Sequence, residues 1–274
     1  MIIEKPIVSE IPGTAKTEQR AMALDVRKLT KIYPTPNGEY VVLRDLDLQV
    51  WKEEFVSIIG HSGCGKSTLL MMIAGLTSIS GGEILLEDRR IEEPGPDRGI
   101  VFQSPSLFPW MTALENVMLG VNQVFPHATK AQRFEIAAYY LDKVGLGDAL
   151  DRKASALSQG MQQRVGIARA FALKPKVLLL DEPFGMLDSL TRTELQDVLL
   201  EVWSKEKTTA IMITHDVDES IFLSDRVIMM TSGPAAIIGD ELDIRIERPR
   251  LRKDVLERSS YYEYRRHLIN FLEH

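Results

Sequence analysis

The chain has 274 residues, 33 Lys+Arg against 39 Asp+Glu for a net charge of −6, and 45% apolar content. That accommodates one large domain or two small ones with a substantial core, while the acidic balance speaks against a nucleic-acid track, because a phosphate backbone rewards positive charge. No apolar run approaches the roughly 18–20 residues of a spanning helix, and the lone Cys64 excludes an internal disulfide and a cysteine-based zinc site. The opening MIIEKPIVSEIPG lacks a basic stretch leading into a long apolar one, so no secretory signal is expected and the chain reads as soluble and intracellular.

Residues 1–21 mix Pro, Gly, Thr and charge without periodicity and read as a mobile tail. From Ala23 the pattern is α/β. Segments 23–33, 40–50 and 55–59 predict strands, the first two with the alternation of half-buried ones. The apolar run 69–76 predicts a buried helix closing near Gly75, 83–91 one further strand, and 100–102 a short one. Between about 105 and 165 β-branched clusters thin out and helical stretches such as 129–144 take over, which predicts a helical subdomain inserted between strands of one sheet. VLLLD (177–181) and TAIMITH (209–215) are continuous apolar runs, as strands covered on both faces require, and the helix predicted over 191–207 makes them a βαβ unit of a parallel sheet. A strand at 226–232 and a helix at 261–273 end the series.

Three segments carry chemistry. Gly60-His61-Ser62-Gly63-Cys64-Gly65-Lys66-Ser67, followed by Thr68, fills GxxxxGK[ST] between a strand and a helix. Its glycines let backbone N–H groups curl around phosphate oxygens, and the helix N-terminus adds partial positive charge. Lys66 then reaches the outer phosphates and Ser67 a Mg²⁺ ion, while His61 and Cys64 fill free positions of the loop. Val177–Pro183 ends a buried strand in Asp181 and Glu182, at the sheet edge where open α/β folds bind ligands; Asp181 is placed to hold Mg²⁺ through water and Glu182 to polarise an attacking water. Between them, Leu157-Ser158-Gln159-Gly160-Met161 opens a helix with a hydroxyl and a glycine N–H, an arrangement suited to an anion.

With these motifs in this order, residues 24–233 resemble the nucleotide-binding subunit of ATP-binding cassette (ABC) transporters. The family's Leu-Ser-Gly-Gly-Gln signature is met at Leu157, Ser158 and Gly160; Gln159 and Met161 depart from it. The resemblance implies an α/β fold of the P-loop NTPase type, a RecA-like parallel core with an antiparallel β subdomain and an inserted α-helical subdomain, spanning 22–240 with a C-terminal extension over 241–274. It implies that Tyr33 stacks on adenine, that Gln103 senses Mg²⁺ and the attacking water, that Asp188 lies in the loop communicating across a dimer, and that His215 contacts the γ-phosphate. ATP and Mg²⁺ are the implied cofactors, with Ser158, Gln159 and Gly160 closing over the ATP of a second ATPase subunit, identical or homologous.

The same resemblance makes segment 104–118, with Phe108, Trp110 and Met111, the socket for a transmembrane permease subunit, and brings in a solute-binding protein indirectly. It puts the chain on the cytoplasmic face of a bacterial inner membrane, bound through protein contacts. Segments 93–103, 107–117 and 213–239 look like importers of nitrate, bicarbonate, sulfonate, taurine and cyanate, with MMTSGPAA (229–236) and RPR (248–250) favouring nitrate/nitrite. The rival is a soluble ABC ATPase of DNA repair, translation or iron–sulfur assembly; the repair type needs a long coiled-coil insertion and the translation type two tandem cassettes, which 274 residues do not supply. A non-hydrolysing regulatory cassette, raised by Gln159, sits poorly with Lys66, Asp181, Glu182 and His215 all present.

Overall fold

In the computed structural model, which describes residues 21–36 and 38–273, the elements in order are β1 (Met22–Thr35), β2 (Gly38–Trp51), β3 (Phe55–Gly60), α1 (Lys66–Ile73), β4 (Gly81–Leu86), β5 (Arg89–Arg90), β6 (Arg98–Val101), α2 (Ala113–Val124), α3 (Lys130–Lys143), α4 (Gln159–Ala172), β7 (Val177–Asp181), α5 (Ser189–Glu206), β8 (Thr209–Ile213), α6 (Val217–Leu223), β9 (Arg226–Met230), β10 (Ile238–Asp243), α7 (Arg252–Leu256) and α8 (Ser259–Glu273). The tail read over 1–21 lies, but for its last residue, outside the described residues.

Six strands form one sheet in the order β10-β9-β3-β8-β7-β6, parallel except for β10. β3 and β8 are buried at every position, and their side chains serve two cores by the period-two rule. Phe55, Ile59, Leu178, Leu180, Ala210 and Met212 face the layer built from α2–α6 and α8. Val56, Ile58, Leu179, Ile211 and Ile213 face α1 and the second sheet. That second sheet is antiparallel, in the order β2-β1-β4-β5, and it traps Leu69, Leu70, Met72 and Ile73 of α1 beneath it.

The segment between β6 and β7 holds α2, α3 and α4, with one isolated bridge (Thr112–Lys153) in place of a strand. Both α2 and α3 open with complete capping boxes, Thr112/Glu115 and Thr129/Gln132.

Two predicted elements come out differently. The strand over 83–91 is a hairpin, because Glu87 (φ 47°) and Asp88 (φ 62°) both take left-handed backbone and turn the chain in two residues. Nothing in the pair Glu-Asp announces a turn that Asn-Gly would. The strand at 226–232 stops at Met230, and a further strand, β10, returns along it. The boundary read at residue 240 therefore falls inside a paired strand, and the segment beyond it is packed into the core through Ile244, Ile246, Val255, Tyr261 and Leu268.

Candidate active site

The loop from β3 to α1 bends as its sequence requires. Gly65, the residue before α1, has φ 102°, and a Cβ there would sit 2.8 Å from Val42 and 2.9 Å from Leu43, so only glycine fits. Gly60 ends β3, while His61, Ser62 and Gly63 are exposed at the rim and Thr68 is half-buried in α1. Cys64 points inward, 1% exposed, into the core below the loop. The Lys66 ammonium curls back on the loop, donating to the carbonyls of Gly60 (2.7 Å) and His61 (2.9 Å). Phosphate oxygens that took over those two bonds would hold the same charge at the same mouth.

β7 lies two strands from β3, and its end meets the loop. The Ser67 hydroxyl donates to Asp181 Oδ1 at 3.0 Å. Burial pushes the Asp181 carboxyl above the usual carboxylate range; the Ser67 hydroxyl works against this, neighbouring Glu182 adds to it, and Lys66 opposes it. Asp181 and Ser67 thus present hard oxygen donors of the kind Mg²⁺ takes. Among the described residues no group of three or more His, Cys, Asp or Glu could hold a metal alone. A cation held at this pair would need further oxygen ligands from outside the chain.

Glu182 is the strained residue of the site. Its φ of 44° is left-handed, uncommon for a non-glycine residue and worth about 1–3 kcal/mol. Its N–H donates to Ile213 O (3.0 Å) and its carbonyl accepts from Gly185 N–H (3.1 Å), which hold the turn. The turn brings Oε2 to 3.4 Å from Gln103 Nε2, after β6, and to 3.3 Å from His215 Nδ1, after β8. Two residues predicted separately, Gln103 and His215, therefore converge on the Glu182 carboxylate at the C-terminal edge of adjacent parallel strands.

The other predicted positions lie elsewhere. Ser158 accepts from Met161 N–H (3.3 Å) as the N-cap of α4, and Asp188 accepts from Leu190 and Thr191 N–H (both 3.1 Å) as the N-cap of α5; hydrogen bonding from Thr191 holds the Asp188 carboxyl below its ordinary range. Gly160 lets the two helices touch, since a Cβ there would stand 2.5 Å from Thr191 Cγ2. Gln159 is exposed. Among the described residues no hydrogen bond joins Ser158, Gln159 or Gly160 to the 60–68 loop. Tyr33 is part-exposed on β1, opposite Tyr40, with the Lys31 ammonium 4.6 Å above its ring.

A family model described as "ABC transporter" matches residues 43–185. The chain is 47% identical over 263 residues, 96% of its length and 93% of the other's, to the bicarbonate transport ATP-binding protein CmpD of Synechocystis sp.. It is 46% identical over 262 residues, 96% of its length and 95% of the other's, to the nitrate import ATP-binding protein NrtD of Synechococcus elongatus. The chain belongs to the ABC transporter family. It is one of that family's ATPase cassettes, and its fold overlays the ATP-binding cassette MJ0796, described as a dimeric post-hydrolysis state bound to ADP and Pi, with TM-score 0.72 and 30% identity over 82% of this chain and all of that one.

Three side chains of this ABC cassette that motif reading passes over hold its parts in register. Gln163 of α4 donates to the carbonyl of Phe102 (3.0 Å), tying the helix that Ser158 caps to the residue before Gln103. Arg169 donates to the carbonyls of Pro105 (2.9 Å) and Ser106 (3.0 Å). Asn116, fully buried in α2, accepts from Phe108 N–H (2.8 Å) and returns a bond to its carbonyl (3.2 Å). A polar residue on the inward face of a helix was the available signal, but its partners lie 8–64 residues away in sequence.

Proposed function

We propose that the chain is the ATP-hydrolysing subunit of an importer, working as a dimer of ATPase subunits on a transmembrane permease, with nitrate or nitrite as the solute. The convergence of Gln103 and His215 on the Glu182 carboxylate, beside the Ser67–Asp181 pair and the Lys66 loop, is the observation that carries it. Water attacks the γ-phosphorus, Glu182 takes its proton, and the bond to the β,γ-bridging oxygen breaks to leave ADP and phosphate. Gln103 orients the water and His215 the γ-phosphate, while Lys66 and the loop N–H groups balance the charge that develops. Ser67 and Asp181 would hold Mg²⁺, which when bound withdraws charge from the outer phosphates. Tyr33 offers its ring to adenine.

A second subunit is part of this reading. Ser158 and Gln159 are exposed and unattached to their own chain's phosphate loop, and Leu190 (77% exposed) and Met186 flank Asp188 as apolar surface. Phe108 and Trp110 (65% exposed), rings 5.3 Å apart, form a second apolar surface directly after Gln103, fixed by Asn116 and Arg169. It suits a helix of the permease. No helix among the described residues is long and apolar enough to cross a membrane. The importer reading puts the subunit at the cytoplasmic face of the inner membrane, held by such contacts. The C-terminal extension, the permease and a solute receptor complete the working assembly.

Glu182→Gln should bind ATP within a few-fold of wild type, lose turnover by about 10²–10⁴-fold, and accumulate as an ATP-bound dimer in size-exclusion chromatography. Undiminished hydrolysis would remove Glu182 as the catalytic carboxylate. Bicarbonate is the second reading for the solute, because CmpD and NrtD match this chain equally well. Uptake of labelled nitrate and labelled bicarbonate by cells lacking this subunit separates the two: loss of one and not the other names the solute.

A further inference from the structure

α6 begins two residues after His215, so whatever fixes that short helix fixes the aim of the histidine. The C-terminal extension grips α6 at both ends. At its first turn, Asp218 accepts from the Tyr261 hydroxyl (2.8 Å) and from Arg265 Nε (2.8 Å), both on α8. At its far end, buried Arg250 donates to the last carbonyls of the helix, Ile221 and Phe222 (both 3.0 Å), and to Ser224 O (2.7 Å). These are acceptors that a helix C-terminus leaves without partners of its own. On the remaining side Arg192 of α5 bridges Asp216 (3.2 Å), the N-cap of α6 and the residue after His215, to the carbonyl of Leu187 (3.3 Å), just before Asp188.

The structure assigns, we propose, a positioning role in ATP hydrolysis to Tyr261 and Arg265: through Asp218 they clamp the first turn of α6 and hold His215 against Glu182. The proposal rests on the ATPase reading given above. α6 has seven residues, too few to be stable by itself, so its placement depends on these tertiary bonds. His215 is 63% exposed and meets Glu182 at 3.3 Å, which leaves its position open to small displacements of the helix that follows it. Asp218 itself touches neither Glu182 nor the phosphate loop through any hydrogen bond among the described residues.

The test uses the full chain. Tyr261→Phe combined with Arg265→Gln keeps the buried ring, removes the hydroxyl donor and replaces the guanidinium with a shorter, uncharged side chain. Turnover at saturating ATP should fall about 5–10-fold, with the Kd for ATP within two-fold of wild type, and Arg265→Lys alone should retain at least half of the wild-type rate. Unchanged turnover, or a parallel loss of ATP affinity, turnover and Tm as expected of a merely structural role, overturns the clamp. Should the double variant fail to fold, Arg265→Gln alone, at a part-exposed position, is read by the same criteria. Wild-type protein that neither binds nor hydrolyses ATP would instead overturn the ATPase reading, which the same assay shows separately.

Discussion

At Glu182 a strained backbone, a buried strand end and two long-range partners meet on one side chain. The left-handed φ of 44° costs energy that the strands on either side supply, and it aims the carboxylate between Gln103 and His215 instead of along the sheet edge. Lys66 is the opposite case: its ammonium already sits among oxygens of its own loop, so phosphate replaces partners rather than solvating a bare charge. Gln159 is exposed and, among the described residues, makes no hydrogen bond to its own chain's site; under the proposed function its side chain would act at the contact with the second subunit. If it only crowds that contact, Gln159→Gly will hold or raise the rate of ATP hydrolysis. A large loss in the same steady-state assay would show that the glutamine contributes a bond of its own.

Among the elements, α4 and α5 do most to relate the site to its surroundings. Their N-caps, Ser158 and Asp188, are brought side by side by the absence of a side chain at Gly160, whose Cβ would overlap the stiff, β-branched Thr191. Gly160→Ala should therefore force the helices apart and destabilise the protein by about 1–3 kcal/mol, read as a drop in denaturant midpoint with unchanged slope. An unchanged midpoint would mean that Thr191 moves aside freely. α4 also reaches Phe102 through Gln163 and the 105–106 backbone through Arg169. The α4 N-terminus, where the proposed partner subunit would press, is thereby tied by hydrogen bonds to the residue before Gln103 and to the segment leading to Phe108 and Trp110.

Over the whole molecule, the two cores on either face of the six-stranded sheet hold the site rigidly from below, and the C-terminal extension closes over α6 from above. Glu219 of α6 is buried in that closure, accepting from Gln196 of α5, which in turn accepts from Arg252 (2.5 Å). Burial, reinforced by Asp216 and opposed by hydrogen bonds from Thr214 and Gln196 and by the Arg192 charge, pushes its carboxyl from 4.5 up to about 7. The native state then binds a proton that the unfolded chain has released between pH 4.5 and 7, so this group lowers stability as pH rises through that window, by at most about 3 kcal/mol. Glu219→Gln should flatten the fall in Tm between pH 5 and 8. A slope equal to that of the wild type would place the proton elsewhere.

Residues that act through local spacing were legible in the sequence: the 60–68 loop, the paired acids after a buried strand, the hydroxyl opening α4. A phosphate cradle is made by neighbours in the chain, and a strand buried on both faces shows as an unbroken apolar run. The order of these motifs sufficed for the family and for the parallel core with its inserted helical segment. Tertiary structure alone decided which groups face one another across the strands: that Gln103 and His215 share the Glu182 carboxylate, that Gly160 is small for the sake of Thr191, and that Glu87 and Asp88 turn a hairpin. It also decided that the segment past residue 240 is part of the core and grips the helix after His215. Apart from that local hairpin, the pairings join residues separated by 26 to 79 positions, and no periodicity records a contact whose two halves are written so far apart.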